Sequence, residues 1–366
     1  MSGGVDSTAA AVLLRDQGYE VIGVTMLLWR DQDGEEARRQ LREKSSDLAR
    51  RLSIEHHVID LTDAFYERVV LPFIHAYQEG KTPNPCLLCN REFKFRLLPQ
   101  LMREMLQKAE KEDFDYMATG HYARIIRDES GAFGLYRAKD LRKDQSYVLY
   151  HLKQEELSRL ILPLGTLSKA DARAIARDAG TPIPEEEESQ DICFISTNYR
   201  DLLLEHGGFG KKGYFVDAEG QRFAEHKGIA AYTVGQRKKL GVALGKRVSI
   251  LDIDPEKGDI LLGPEENIRV QDLLLEKPSF NLPEDPAMPL RLEAATRYQE
   301  KPEKAMLEAF PDSASLSSSG LCQLHFDEAR RAPSPGQSAV FYQGERVIGG
   351  AVIRRKKKQI EKRSSS

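Results

Sequence analysis

The chain has 366 residues, of which 40% are hydrophobic and 30% are charged, and its net charge is −3. This length predicts two or three domains, each able to bury a core. The balanced charge excludes a protein that coats bulk DNA, although it allows a local basic face. No apolar run is long enough to span a bilayer, and a recognisable motif begins at Ser2. We therefore expect no signal peptide, no membrane partner and a cytoplasmic location.

Residues 1–195 alternate between strand-like and helix-like patterns. The predicted strands are 21–29, 55–61 and 114–120. The predicted helices are 8–17, 35–52, 64–79, 92–111 and one that starts at Ser168 and ends at Gly180. Ser168 and Asp171 form a capping-box pattern at the start of that last helix. Such alternation predicts an α/β fold with a mostly parallel, doubly wound sheet.

After residue 195 the pattern changes to short strands separated by Gly and Pro. The predicted strands are 213–217, 248–254, 259–262, 290–296, 305–309, 322–326, 339–342 and 346–353. We expect a small central module over 196–265 and a C-terminal β-barrel over 266–355, because closely spaced strands favour such architectures. The basic end of the chain, 356–366, is predicted to be a disordered tail.

A glycine-rich loop opens the chain and leads directly into an apolar helix. Its residues are Ser2, Gly3, Gly4, Val5, Asp6 and Ser7. Adjacent glycines let a backbone approach an anion, and the helix N-terminus presents N–H groups to it. The serine hydroxyls can donate hydrogen bonds, and the carboxylate can cap the helix or help to place Mg²⁺. The loop lacks the Walker pattern, and a plain glycine helix cap stays open as an alternative.

Three cysteines point to thiol chemistry. Cys86 and Cys89 form a C-x-x-C pair after a Pro-Asn-Pro segment, and Cys193 lies in an apolar, strand-like setting. A helix dipole with Arg91 and Lys94 is expected to lower the pKa of Cys89. Separated thiols suit sulfur transfer by persulfide and thiol–disulfide exchange. A zinc or structural pair is the alternative for the C-x-x-C. The isolated Cys322 is interpreted as a small buried hydrophobe.

The loop resembles that of the N-type ATP pyrophosphatases (the PP-loop superfamily), which adenylate a substrate and release pyrophosphate. The ordered motifs resemble the tRNA-specific 2-thiouridylase family over about residues 1–353. They lie at 2–7, 23–26, 82–95, 118–122, 143–147, 189–195, 235–238, 296–298 and 335–340. In that superfamily a strand precedes the loop, whereas only Met1 precedes it here. We expect the start of the sequence, rather than the fold, to account for this departure.

The resemblance implies a function and a set of site residues. ATP would bind Met1, Ser2, Gly3, Gly4, Val5, Asp6, Ser7, Met26 and Gly120. The target base would contact Asn84, Pro85 and Cys86. Transfer RNA would contact Lys143, Asp144, Gln145, Arg297 and Tyr298, with the central module as a tRNA-binding unit. Cys89 would be the nucleophile, Cys193 the persulfide carrier, and the two would form a transient disulfide. The implied reaction adenylates the C2 oxygen of the anticodon wobble uridine and then transfers sulfur, using ATP, Mg²⁺ and a persulfide donor protein.

Cys86 departs from the family pattern, which usually has Asp at this position. Cys86, Cys89 and Cys193 could therefore hold an iron–sulfur cluster, although no metal is firmly predicted. Our interpretation is that Cys86 lines the base pocket and that Cys89 and Cys193 carry the chemistry. Two other functions stay open. One is another PP-loop synthetase or amidotransferase, and the other is a non-enzymatic RNA-binding protein with a C-x-x-C metal site.

Overall fold

A computed structural model describes residues 1–29, 34–180, 192–195, 198–242, 247–309 and 320–355. The predicted tail at 356–366 and the first part of the third cysteine motif, 189–191, lie outside the described residues. Within the described part the architecture has three parts: an α/β region, a small four-stranded sheet and a closed β-barrel. No helix there is long and apolar enough to cross a membrane.

Nine α-helices lie in the first 205 residues of the described chain. They are α1 (Val5–Asp16), α2 (Gly34–Leu52), α3 (Thr62–Phe65), α4 (Leu71–Gln78), α5 (Pro85–Cys89), α6 (Leu98–Lys108), α7 (Gln154–Ser158), α8 (Lys169–Asp178) and α9 (Tyr199–Glu205). Two π-helical segments, Tyr66–Val70 and Asn90–Leu97, join α3 to α4 and α5 to α6. Each of the predicted helices at 64–79 and 92–111 is therefore one continuous helical stretch with a π-helical segment inside it. The second stretch starts earlier than predicted, at Pro85.

The start of α8 confirms the predicted capping box. The Ser168 hydroxyl accepts a hydrogen bond from the Asp171 N–H at 3.2 Å, and the Asp171 carboxylate accepts one from the Ser168 N–H at 2.9 Å. These bonds satisfy N–H groups that a helix N-terminus leaves without partners. Gly180, with φ +75°, follows the end of this helix as its sequence position predicted.

The α/β region contains two parallel strand pairs and one hairpin. Its strands are β1 (Ile22–Leu27), β2 (Glu55–Asp60), β3 (Met117–Ala118), β4 (Ala123–Arg127), β5 (Phe133–Arg137) and β6 (Leu160–Ile161). β1 pairs with β2 and β3 with β6, and the two pairs share no ladder among the described residues. The predicted strand 114–120 is reduced to two residues, since Phe114 N–H bonds to the Asp113 carboxylate rather than to a neighbouring strand.

The second half of the chain forms the two β modules. The small sheet contains β7 (Tyr214–Val216), β8 (Arg222–Glu225), β9 (Ser249–Ile253) and β10 (Ile260–Gly263) in the order β8-β7-β10-β9. The barrel contains β11 (Arg269–Phe280), β12 (Leu290–Ala295), β13 (Glu303–Ala309), β14 (Leu321–Arg331), β15 (Ser338–Gln343) and β16 (Arg346–Arg354). Its order is β11-β14-β13-β12-β15-β16, and pairing of β16 with β11 closes it. The predicted barrel is confirmed.

The hairpin β4–β5, which the sequence patterns did not reveal, joins the barrel sheet. Tyr136 and Leu135 of β5 pair with Arg346 and Val347 of β16. An apolar core lies beneath this junction, and Tyr147 and Leu149 of the α/β region pack there with Val340 of the barrel. The Tyr147 hydroxyl also donates to the Ser338 carbonyl at 2.7 Å. The barrel is thus packed against the α/β region through both its backbone and its core.

Barrel closure requires a glycine at position 349. Gly349 has φ +154°, and a Cβ there would lie 2.3 Å from the Ser279 carbonyl oxygen of β11. We expect Gly349→Ala to lower the free energy of unfolding by about 2–4 kcal/mol, through backbone strain and overpacking. Urea unfolding followed by circular dichroism would measure this. Gly344→Ala is the matched control, because Gly344 also has a positive φ, +59°, but nothing lies within 4 Å of its Cβ position. Equal losses for both variants would contradict the proposed role in closure.

Candidate active site

The glycine-rich loop leaves the N-terminus of α1 open. Gly4 is the N-cap with φ −88° and ψ 165°, and no side chain makes a capping hydrogen bond there. Gly3 has φ +69°, a conformation that favours glycine. Asp6 does not cap the helix, so one of its two expected roles is wrong. The N–H groups of the first turn therefore face outward and can receive an anion.

The serine hydroxyls hold the loop together. Ser7 Oγ donates to the Gly4 carbonyl at 3.0 Å and accepts a hydrogen bond from the Ser2 N–H at 3.2 Å. Ser2 Oγ lies 3.2 Å from Ser7 Oγ. Met1 lies beside β1, where its amino group donates to the Val24 carbonyl. The turn is thus arranged by its own polar groups before any ligand binds.

Gly120 and Met26, predicted to bind ATP together with the loop, have different surroundings. A Cβ on Gly120 would be 2.8 Å from the Asp6 carbonyl carbon, so only glycine allows this approach. Met26, in β1, packs against the apolar core that contains Cys89 and Phe194. Val5 packs against the smaller core beneath α1. Of the residues predicted to bind ATP outside the loop, Gly120 therefore contacts it, and Met26 packs on the core that contains Cys89.

The Asp6 carboxylate has two partners from distant parts of the chain. The Tyr122 hydroxyl donates to Asp6 Oδ1 at 2.8 Å. Lys169 Nζ donates to Oδ1 at 2.7 Å and to Oδ2 at 2.9 Å. Lys169 is the first residue of α8, which packs against α1. The sequence analysis did not single out Lys169, since nothing in its local pattern indicates a partner 163 residues away.

The C-x-x-C pair lies on α5, which begins at an asparagine cap. The Asn84 carboxamide accepts a hydrogen bond from the Cys86 N–H at 3.1 Å, and Pro85 occupies the first helical position. This arrangement is a favourable helix start, because the cap satisfies one N–H and proline needs none. Cys86 is exposed in the first turn, whereas Cys89 is buried at the last residue of the helix.

Cys193 lies in a turn, so the predicted strand-like setting is wrong. The Ile195 N–H bonds to the Ile192 carbonyl at 2.9 Å, which bends the chain at the cysteine. Phe194 is buried in the core that also contains Cys89. Cys193, next to it, keeps an exposed surface, although neighbouring groups desolvate its thiol. All four cysteines are free in this structure, and Cys322 is buried in the barrel core as interpreted.

Burial, rather than the helix dipole, dominates the thiol chemistry. Desolvation raises the pKa of Cys89, and Lys94 lowers it by a smaller amount. The expected lowering at Cys89 is therefore wrong, because this residue ends α5 instead of starting it and is surrounded by apolar side chains. Desolvation also raises the pKa of Cys193 to about 12, with smaller contributions from repulsion by the Cys89 and Cys86 thiolates.

Lys94 is the cation that the three thiols share. Its charge favours the thiolate forms of Cys86, Cys89 and Cys193. The same charge helps to lower the pKa of the buried His121, whose Nδ1 lies 2.8 Å from the Thr119 hydroxyl. The three thiols and this lysine thus occupy one neighbourhood. Lys94 lies in a π-helical segment, whose turns are wider than those of an α-helix, and the sequence pattern does not reveal this.

The described residues, which include all four cysteines, contain no group of three His, Cys, Asp or Glu side chains that could hold a metal ion. The cluster considered for Cys86, Cys89 and Cys193 therefore gains no support from their placement. For Mg²⁺, which prefers oxygen ligands, the loop offers the Ser7 hydroxyl and the Asp6 carboxylate, whose two oxygens also accept hydrogen bonds from Lys169.

The segment predicted to contact tRNA is anchored within the protein. Asp144 is buried, and its carboxylate accepts hydrogen bonds from Arg137 Nε at 3.1 Å, the Ala138 N–H at 3.0 Å and Ser146 Oγ at 3.0 Å. The Gln145 side chain accepts a hydrogen bond from the Tyr122 N–H at 2.9 Å. In this conformation both side chains position the segment, and Lys143 is the partly exposed cation on it.

The barrel brings its predicted residues to the same face. Tyr298 is 41% exposed, and its ring lies 6.2 Å from that of Tyr147 in an edge-to-face arrangement. The Cys86 charge contributes to raising the pKa of Tyr298, after desolvation and Asp144, so the tyrosine is near the thiol. Arg297 is exposed beside it. The Thr82 N–H also donates to the Pro335 carbonyl of the barrel at 2.8 Å, which joins the barrel to the approach to Cys86.

Comparisons with known proteins agree with this architecture. Family models match residues 1–197 as a tRNA methyl transferase HUP domain, 200–264 as a tRNA methyl transferase PRC-barrel domain and 270–353 as an aminomethyltransferase β-barrel domain. The glycine loop and the α/β fold thus define a HUP-domain, or PP-loop, protein with two β modules attached.

Its relatives specify the family. The protein of Syntrophomonas wolfei named tRNA-specific 2-thiouridylase MnmA is 43% identical over 354 residues, covering 96% of this chain and 98% of that protein. Proteins of the same name from Desulforamulus reducens and Clostridioides difficile are 40% and 39% identical, covering 98% and 96% of this chain and 97% and 96% of theirs. The chain belongs to the tRNA-specific 2-thiouridylase family.

Substitution of Gly4 tests whether the loop receives phosphate. Its φ of −88° suits alanine, and a Cβ would meet only Ser2 Oγ at 3.4 Å, so the fold should tolerate Gly4→Ala. We expect ATP affinity to fall roughly tenfold or more, since a displaced phosphate loses charge-assisted hydrogen bonds. Isothermal titration calorimetry measures the affinity, and thermal unfolding monitors the fold.

Gly3→Ala provides the contrast for that experiment. Gly3 has φ +69°, and a Cβ there would lie 3.1 Å from Lys44 Cγ, so this variant should lose both stability and affinity. Unchanged ATP affinity in Gly4→Ala would show that the loop is only a helix cap.

The raised thiol pKa predicts a distinctive alkylation profile. In a Cys86→Ala, Cys89→Ala, Cys322→Ala background, Cys193 is the remaining thiol. Desolvation, the largest cause of its raised pKa, remains in this background, so its rate with iodoacetamide should rise about tenfold per pH unit from roughly pH 7 to 10. An unstructured cysteine peptide should level off above about pH 9. Quenched time points analysed by mass spectrometry give the rates. A plateau at Cys193 below about pH 8 would contradict the effect of burial.

Proposed function

We propose that this protein is an ATP-dependent tRNA sulfurtransferase that replaces the C2 oxygen of the anticodon wobble uridine with sulfur. One observation carries the proposal: three thiols share a neighbourhood around Lys94 in the same domain as an open phosphate-binding loop. An activating nucleotide and a sulfur carrier are the two components that such a reaction needs. The names of the relatives support the choice of tRNA as substrate and of 2-thiouridine as product.

The first step activates the base. The target uridine leaves the base stack and enters beside Asn84, Pro85 and Cys86. Its C2 oxygen attacks the α-phosphate of ATP, which forms an O–P bond and releases pyrophosphate. The N–H groups at the start of α1 and the Ser2 and Ser7 hydroxyls bind the phosphates as charge moves to the leaving group. Mg²⁺ would be held by the Ser7 hydroxyl and by lone pairs of the Asp6 carboxylate that Lys169 leaves unused, and it would supply positive charge to the phosphates.

The second step transfers sulfur. Cys193 first receives a sulfur atom from a persulfide-bearing donor protein, which its exposed position in a turn allows. The terminal sulfur of this persulfide then forms a bond to C2 of the adenylated base, and AMP leaves with the former C2 oxygen. Cys89 attacks Cys193 Sγ, which releases the thiolated base and leaves a Cys89–Cys193 disulfide. In a second route Cys89 attacks first, and the freed sulfide adds to C2.

Both routes need two electrons from an external thiol reductant to restore the free cysteines. They also require Cys89 as a thiolate, although burial raises its pKa. Lys94 is the group whose charge favours the thiolate of Cys89. Cys86 lines the base pocket in this scheme, on the first turn of α5.

The surface that carries Lys143 of the α/β region and Arg297 and Tyr298 of the barrel is proposed to bind tRNA. Exposed Tyr298 can stack on an unpaired base, and Arg297 and Lys143 can bind phosphates. Asp144 and Gln145 act there by holding the segment that carries Lys143. Pyrophosphate release that depends on tRNA would separate this function from two others. Another PP-loop synthetase would release pyrophosphate without tRNA, and an RNA-binding protein would release none.

Cys193→Ser tests the assignment of the sulfur carrier. We expect 2-thiouridine formation to stop, while ATP and tRNA affinities change by less than about twofold, because the variant removes a reacting atom and no binding contact. Nucleoside mass spectrometry of tRNA incubated with protein, ATP and a persulfide donor measures the product. Cys322→Ala, a change at a cysteine buried in the barrel core, is the control and should stay active. Normal thiolation by Cys193→Ser would rule out the assignment.

A further inference from the structure

Lys169 lies where a cation is electrostatically unfavourable for its own helix. It is the first residue of α8, and the N-terminus of a helix carries partial positive charge. The side chain is only 19% exposed and is directed to Asp6 of the glycine-rich loop. Its ammonium group also lies 5.8 Å from the centre of the Tyr122 ring. The interactions of this lysine are therefore with the loop rather than with α8.

The Asp6 carboxylate creates an electrostatic difficulty for this loop. Asp6 is in the first turn of α1, whose N–H groups are open to an anion. A carboxylate beside a polyphosphate repels it unless a cation compensates. Lys169 supplies that compensation through two hydrogen bonds of 2.7 and 2.9 Å, and Tyr122 adds a neutral donor at 2.8 Å.

An ammonium group has three N–H donors, and two of them hold Asp6. Within the described residues Lys169 Nζ makes no third hydrogen bond. We propose that Lys169 is a ligand of the β- and γ-phosphates of ATP and of the departing pyrophosphate, and that Asp6 and Tyr122 hold it in place. The lysine keeps its bonds to Asp6 and uses its remaining donor for the phosphate, so no rearrangement of the loop is required.

This inference rests on the proposed use of ATP and concerns its phosphate site. A phosphate ligand and a residue that only stabilises the fold differ in which molecules lose affinity when the residue is replaced. A phosphate ligand affects molecules that contain the β- and γ-phosphates, whereas a structural ion pair affects every nucleotide equally. Inorganic pyrophosphate, ATP and AMP therefore serve as the three probes, and binding is measured by calorimetry on the full chain without tRNA.

We expect Lys169→Met to weaken pyrophosphate and ATP binding by about 10- to 100-fold, the effect of losing a hydrogen bond to a charged group. AMP affinity should change by less than about twofold, because AMP lacks the phosphates in question. Lys169→Arg, which keeps the charge, should restore most of the pyrophosphate affinity. If Lys169→Met fails to fold, Lys169→Gln carries the same test, since its amide can still donate to Asp6.

Lys111→Met is the matched control. Lys111 Nζ donates to both oxygens of Glu55 at 2.7 Å, so it forms a pair of the same kind, but with a residue of β2. Its loss should leave all three affinities unchanged. Equal weakening of AMP and pyrophosphate by Lys169→Met, or no weakening of either, would overturn the inference. A wild-type protein that binds no ATP would instead contradict the proposed function.

Discussion

The main chains of Asp6 and Gly120 are in direct contact, and the arrangement of the site depends on this contact. A single Cβ at Gly120 would be 2.8 Å from the Asp6 carbonyl carbon. The approach brings Tyr122, two residues further on, within hydrogen-bond distance of the Asp6 carboxylate. It thereby links the first turn of α1 to the chain that continues into β4. The glycine-rich loop is therefore held by contacts with Gly120 and Tyr122 as well as by its own serines.

Sequence patterns predicted the local features of this protein but not its contacts between distant residues. The glycine loop, the capping box at Ser168 and the closed barrel were all predictable, since each depends on residues that are close in sequence or on the spacing of strands. The pairing of Lys169 with Asp6 was not, because it depends on how α8 packs against α1. The attachment of the hairpin β4–β5 to the barrel was not predictable either, because its partner strand β16 lies about two hundred residues away.

The thiols illustrate how burial can reverse an argument from local sequence. A C-x-x-C pair near basic residues predicts lowered thiol pKa values, and Lys94 does have that effect. The aromatic core beneath it, with Phe93 and Phe194 fully or almost fully buried, outweighs the charge. The raised pKa values keep the thiolate fraction of these cysteines low, and thiols are oxidised far more slowly than thiolates.

The pairing of β5 with β16 has a consequence for how this chain can be divided. A fragment that ends near residue 195 would lose the strand that covers the edge of β5 and the barrel side chains that cover Tyr147 and Leu149. An open strand edge beside exposed apolar side chains is a template for association between copies. We therefore expect the α/β region to associate between copies when it is produced without the barrel. The barrel thus covers apolar side chains and a strand edge of the α/β region.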